Sequence, residues 1–215
     1  MKLSGPLIQP RSGAPATEAI ILLHGYGADG SDLIGLGQHW GALLPDAMFV
    51  APNAPTPCAG NPFGFEWFPL DAERATARID GVRQAAPILR GFLTDLWTQT
   101  GILPARTVLA GFSQGAMMAL HVGTALDEAL GGIVAFSGGF VPADGFAEGR
   151  FARPPVALIH GELDQVVDPE LSRRAATELA AAGFEAALHI SPDTAHGIAP
   201  DGLDFATGFL LARRA

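Results

Sequence analysis

Apolar residues fall along the chain in short continuous runs, separated by stretches in which they recur every three or four positions. The runs are too short for helices and rich in aliphatic and β-branched side chains. They predict strands at 19–23, 48–51, 107–110, 132–136, 156–159 and 186–190. The stretches between them read as helices. The clearest is 75–96, where Ala75, Ile79, Val82, Ala86, Leu89, Leu93 and Leu96 form one apolar stripe that Pro87 is predicted to kink or split. Further helices are predicted at 113–126, at 169–182 with Asp168 as N-cap and Pro169 in the first position, and at 202–213. Alternating strands and helices imply a largely parallel sheet with helices on both faces, the α/β class. Two segments, 52–71 and 137–155, take no regular assignment, and long loops in compact domains often form lids or pocket walls. No repeat or linker divides the chain, so one domain over 1–215 is expected.

Composition narrows the function. A net charge of −9, with basic residues paired only at Arg173-Arg174 and Arg213-Arg214, disfavours nucleic acid and anionic lipid as partners. No apolar run reaches the length of a membrane span, and none of signal-peptide length follows Met1, so a cytoplasmic protein is expected. Cys58 is the one cysteine, in keeping with a reducing compartment. The six histidines form no H-E-x-x-H motif and have no cysteine cluster beside them, so neither a metal nor a cofactor is expected.

Chemistry concentrates where the third predicted strand ends. Thr107-Val108-Leu109-Ala110 runs into Gly111-Phe112-Ser113-Gln114-Gly115 and then into a helical stretch, the order strand, G-x-S-x-G, helix. A sharp turn there lifts a serine hydroxyl above the sheet edge as a nucleophile; the competing role for Ser113 is a plain helix N-cap. A serine nucleophile needs a base and an acid that orients it, each on a loop after a later strand. For the base, His196 in Thr194-Ala195-His196-Gly197 follows the last strand. His189 lies within that strand, His24 and His160 end strands and read as structural hydrogen-bonding groups, and His39 and His121 fall in helical segments. For the acid, His160-Gly161-Glu162-Leu163-Asp164-Gln165-Val166-Val167-Asp168 offers three carboxylates. Asp164 is the best placed; Asp168 is explained as a cap but stays the runner-up, and Glu162 follows the strand almost at once.

The segment Leu22-Leu23-His24-Gly25-Tyr26-Gly27-Ala28-Asp29-Gly30 also contains G-x-G-x-x-G, the pattern of dinucleotide loops. That fold requires an acidic residue near the end of the second strand, where this chain has Val50-Ala51-Pro52-Asn53. The loop fits another need. Attack by Ser113 on a carbonyl creates an oxyanion, and the backbone N–H groups of Gln114 and Tyr26 are expected to receive it.

Five segments in order, L-H-G-Y-G-A-D-G-S-D-L, A-P-N-A-P, G-F-S-Q-G, H-G-E-L-D-Q-V-V and A-H-G-I, resemble the phospholipase/carboxylesterase family of α/β-hydrolases, which includes acyl-protein thioesterases and small bacterial esterases. The likeness runs from about Ile20 to Leu210. It implies an α/β-hydrolase fold with no large cap domain, catalytic Ser113, Asp164 and His196, and oxyanion donors at Tyr26 and Gln114. The chain departs from the family at Tyr26, where leucine is frequent, and in the loop from Cys58 to Leu70. The expected activity is hydrolysis of short- to medium-chain acyl esters through an acyl-enzyme, with acyl-protein thioesters or lysophospholipids as alternative substrates of the same residues. A non-catalytic binding module on this fold is the alternative from another class. Phe63, Phe65, Trp67 and Phe68 are expected to wall the substrate pocket, and a homodimer is compatible with the chain.

Overall fold

The computed structural model describes residues 3–70 and 75–213, with backbone alone at 75–78. Among these residues seven strands form one sheet, in the order β1 (Leu7–Ile8), β3 (Ala47–Val50), β2 (Glu18–Leu23), β6 (Thr107–Phe112), β7 (Gly132–Phe136), β8 (Val156–Gly161) and β9 (Ala186–Ser191). Neighbours run parallel except at the β1 edge, which pairs antiparallel with β3 through Leu7 with Val50 and Ile8 with Phe49. A separate two-stranded hairpin, β4 (Thr56–Pro57) and β5 (Phe65–Glu66), occupies the segment left unassigned above.

The continuous apolar runs have a direct cause. Alternate side chains of a strand point to opposite faces, and both faces of this sheet are covered, so the interior of each central strand is apolar at successive positions. In β2, Ala19, Ile21 and Leu23 enter one core, while Ile20 and Leu22 enter the other. The first core is closed by α2 (Ala75–Thr100), α3 (Gln114–Gly123) and α4 (Glu170–Ala181), the second by α1 (Gly30–Gly41) and α5 (Pro200–Ala212). The segment 137–155 contains no helix or strand.

Several expectations are corrected. Pro87 does not split α2, which runs unbroken over 26 residues. Its stripe holds at Val82, Ala86, Leu89 and Leu93, all buried, whereas Ile79 is 39% exposed; the Ala75 side chain, Asp71 and Arg214 lie outside the described residues. The helix predicted from Pro169 begins at Glu170, with Asp168 Oδ1 accepting the Glu170 N–H at 2.9 Å, so Asp168 still caps the first turn. Helix α1 was not predicted. Its glycines read as loop, yet Gly30 and Gly37 are there for close packing: a Cβ on Gly30 would lie 1.9 Å from Ala51 O, and one on Gly37 would lie 2.8 Å from the Phe49 ring. The helix starts on an Asp29 cap, whose carboxylate accepts the Ser31 N–H at 2.8 Å.

Candidate active site

The site lies at the carboxyl ends of the parallel strands, where loops from β2, β6, β8 and β9 converge, as is general for open α/β sheets. Ser113 joins β6 to α3 with φ 53° and ψ −114°, a conformation rare for a side chain with a Cβ. The turn closes only because its flanks are glycine. A Cβ on Gly115 would stand 1.9 Å from Leu23 O, and one on Gly111 would stand 2.3 Å from Gly115 O. The Ser113 N–H donates to Phe136 O at 2.8 Å; Ser113 stands at the N-cap position of α3, but its hydroxyl makes no capping bond to the helix.

Next to this turn, Gln114 opens α3, and first-turn amides have no acceptor within their own helix. The Tyr26 loop approaches from β2, with a Cβ on Gly25 only 3.5 Å from Ser113 Cβ. The loop is held from behind. His24 is fully buried; its Nδ1 donates to Gly25 O at 2.8 Å and its Nε2 accepts the Ala54 N–H at 2.9 Å, while burial pushes its pKa down and keeps the ring neutral. Because Gly25 C=O and Tyr26 N–H share one peptide plane, the His24 bond also sets the direction of the Tyr26 N–H.

The hairpin supplies further support. Gly27 N–H donates to Phe65 O at 2.9 Å, Phe65 N–H to Ala28 O at 2.8 Å and Asn61 Nδ2 to Gly27 O at 2.8 Å. The Tyr26 phenol is pushed up to about 12, chiefly by its hydrogen bond to Cys58 and then by burial. The Gln114 side chain pins the following segment, its Oε1 accepting the Trp67 N–H at 2.8 Å and its Nε2 donating to Phe68 O at 2.6 Å. The sequence marked Gln114 only for its backbone.

On the other side of the site, His196 Nδ1 donates to Asp164 Oδ2 at 2.6 Å. The Asp164 side chain is fully buried, and its Oδ1 accepts the Val166 and Val167 amides at 2.8 and 2.9 Å. Burial alone would raise the Asp164 pKa, but the hydrogen bonds from His196, Val167 and Val166 outweigh it and hold the carboxyl below its ordinary range. The two loops are stitched together by Leu163 N–H to Thr194 O at 2.8 Å and Glu162 N–H to Ser191 O at 2.9 Å. Phe112, the residue before Ser113, packs its ring 4.8 Å from that of His196. Ser113 Oγ has no hydrogen-bond partner among the described residues; such contacts are often long until substrate is bound.

The remaining histidines are accounted for by structural contacts or exposure. His121 Nδ1 donates to Val141 O at 2.7 Å, His189 Nε2 pairs with Asp201 at 2.7 Å, and His39 is exposed on α1.

A groove of about 450 Å³ opens beside His196, lined by Leu33, Leu36, Phe112 and Ile198 with Asp32 on its wall. None of Phe63, Phe65, Trp67 and Phe68 lines it. Trp67 and Phe68 are 2% exposed, the Trp67 indole donates to His24 O at 3.0 Å, and Phe63 stands 88% exposed near the hairpin turn. Trp67 lies against the loop carrying Tyr26, and Phe65 holds that loop through its backbone. Leu33 and Leu36 escaped the sequence reading because they lie on α1, which its glycines concealed.

The chain matches the model of the Phospholipase/Carboxylesterase family over residues 7–213. It is 30% identical to Esterase YpfH of Escherichia coli (strain K12), across 91% of this chain and 83% of that protein. It is 28% identical to Acyl-protein thioesterase 1 of Gibberella zeae, across 95% of this chain and 94% of that one. The crystal structure of esterase PE8 superimposes with a TM-score of 0.94 at 56% identity, covering 99% of both chains. Spanned almost end to end by that family model, the chain belongs to the phospholipase/carboxylesterase family of α/β-hydrolases.

Proposed function

We propose that residues 1–215 form a single α/β-hydrolase domain working as a serine carboxylesterase, with Ser113 as nucleophile, His196 as general base and then acid, and Asp164 as its orienting partner. The observation that carries the reading is the 2.6 Å bond from His196 Nδ1 to buried Asp164 Oδ2, in a protein whose Ser113 sits on a strained turn beside the same loops. The bond places the neutral imidazole's proton on Nδ1 and leaves Nε2 free to take the Ser113 proton as Oγ attacks the acyl carbonyl. The oxyanion of the tetrahedral intermediate is received by the Tyr26 and Gln114 amides, each worth about 3 to 4 kcal/mol in the transition state. His196 then returns the proton to the departing alcohol, and water, activated by the same Nε2, hydrolyses the acyl-enzyme.

A groove of about 450 Å³ with apolar walls suits short- to medium-chain acyl esters. Similarity to acyl-protein thioesterase 1 supports a second reading, thioester hydrolysis by the same residues. A panel of esters and thioesters of matched acyl length, compared by kcat/KM, distinguishes the two. Ser113, Asp164 and His196 all come from one chain, so the chemistry needs no second subunit. A single buried thiol, Cys58, fits the reducing cytoplasm as the place of action.

The test is Ser113→Ala. Turnover of a short-chain ester should fall by about 10⁴ to 10⁶ with the melting temperature unchanged, because nucleophile and base act as one unit. A cleanly prepared variant with wild-type turnover overturns the reading.

A further inference from the structure

A second imidazole reaches Asp164. His160, near the end of β8, is 1% exposed, and both of its ring nitrogens are engaged. Nε2 lies 2.9 Å from Val167 O and 3.2 Å from Asp164 Oδ2, while Nδ1 lies 2.7 Å from Ser172 Oγ in α4. A carbonyl and a carboxylate only accept, so the proton of a neutral ring sits on Nε2, and Nδ1 accepts the Ser172 hydroxyl. Burial lowers the His160 pKa and keeps the ring neutral. The titratable groups that face it are Asp164 and His196; its other partners, Val167 O and the Ser172 hydroxyl, are uncharged.

We propose that His160 is a positioning residue of the hydrolase: its Nε2–H engages Asp164 Oδ2, so that the carboxylate is fixed in rotation and presents that oxygen to His196 Nδ1. The proposal rests on the catalytic roles given above to Ser113, Asp164 and His196. Without His160, Oδ1 would still be held by the Val166 and Val167 amides, but Oδ2 would have His196 as its only donor among the described residues. The ring also joins elements that must stay in register. Ser172, which donates to Nδ1, lies in the first turn of α4, so β8, the Asp164 loop and α4 meet at one side chain.

Two variants and one measurement on the wild type test this. His160→Leu removes the donor at similar volume, and kcat should fall at least about tenfold with KM changed less than about twofold. The acid limb of kcat/KM should move to higher pH, because the unshared carboxylate charge favours protonation of the base. His160→Gln, whose amide can donate again, should recover most of kcat and return the limb toward its wild-type position. A folded His160→Leu with kcat within about twofold of wild type and an unmoved limb overturns the proposal.

Should His160→Leu fail to fold, nitrogen-15 shifts of the wild-type His160 ring decide the matter. A proton on Nε2 with a bare Nδ1 supports the proposal; a proton on Nδ1 alone contradicts it, since no N–H would then reach Asp164. Failure of the catalytic reading is separable: Ser113→Ala with full turnover rejects that reading, whereas an inactive Ser113→Ala beside an unaffected His160→Leu rejects only the role of His160.

Discussion

Asp164 and Asp168 lie four residues apart on one loop, and their hydrogen bonds give them different work. Asp164 takes the His196 N–H and two amides while fully buried; Asp168 takes the Glu170 amide at the head of α4. Asp164→Asn should lower kcat by about 10⁴, since the amide can offer its own N–H toward His196 and favour the wrong tautomer. Asp168→Ala should cost about 1 kcal/mol of stability and leave kcat nearly intact. Paired kinetics and thermal melts on the two variants check this, and the reverse order would reassign the acid. Ser113, Asp164 and His196 could be nominated from the sequence because each follows a strand end, where a parallel sheet gathers its loops. The sequence could not show that Tyr26 is set by His24, nor that Gln114 holds Trp67 and Phe68 through its side chain. The His24 ring is anchored by Ala54, 30 positions away, and Gln114 reaches Trp67 and Phe68, 47 and 46 positions back, and no local pattern encodes such contacts.

Glycine has opposite meanings in different elements of this fold. At some positions it marks contact: Gly115 in α3 leaves no room for a Cβ against Leu23 O, and Gly37 in α1 none against Phe49. Gly91 in α2 has nothing within 4 Å of where a Cβ would stand. Gly115→Ala should therefore destabilise by about 3 kcal/mol by pushing α3 off β2, and activity should fall with it because Ser113 and Gln114 move together. Gly91→Ala should stabilise by about 0.5 to 1 kcal/mol, the ordinary gain in a helix interior. Denaturant melts measure both, and equal effects would refute the packing argument. The same ambiguity explains the uneven legibility of elements. The strands of a sheet covered on both faces announce themselves as apolar runs, but α1 is glycine-rich because it packs closely on β3, and composition alone cannot tell such a glycine from a loop glycine. The β1 edge and the β4–β5 hairpin are two-residue strands held by pairing, too short for periodicity to register.

Across the whole molecule, His24, His121 and His160 share one property: burial holds each below the ordinary value of 6.5. Between its folded and unfolded values, each such histidine binds a proton only when the chain unfolds, so folding stability rises with pH there. The contribution is complete above about pH 6.5 and is lost as pH falls below it, at about 1.4 kcal/mol per histidine for each unit of lowering. The melting temperature should therefore decline between about pH 6.5 and 5, before Asp164, held below the carboxylate range, takes up its proton. A melting temperature flat from pH 7.5 to 5 would contradict this. The fold, the hydrolase family and a serine chemistry were all foreshadowed by motifs in order along the chain; the groove beside His196 was not, because it is assembled from α1, β6 and the His196 loop. The central claim, that Ser113 is the nucleophile, is tested most directly by fluorophosphonate labelling of the native protein followed by peptide mass mapping. One covalent adduct per chain is expected, on Ser113, formed in step with loss of esterase activity and absent after heat denaturation. Inactivation with the adduct on any other residue, or full labelling of the denatured protein, would contradict it.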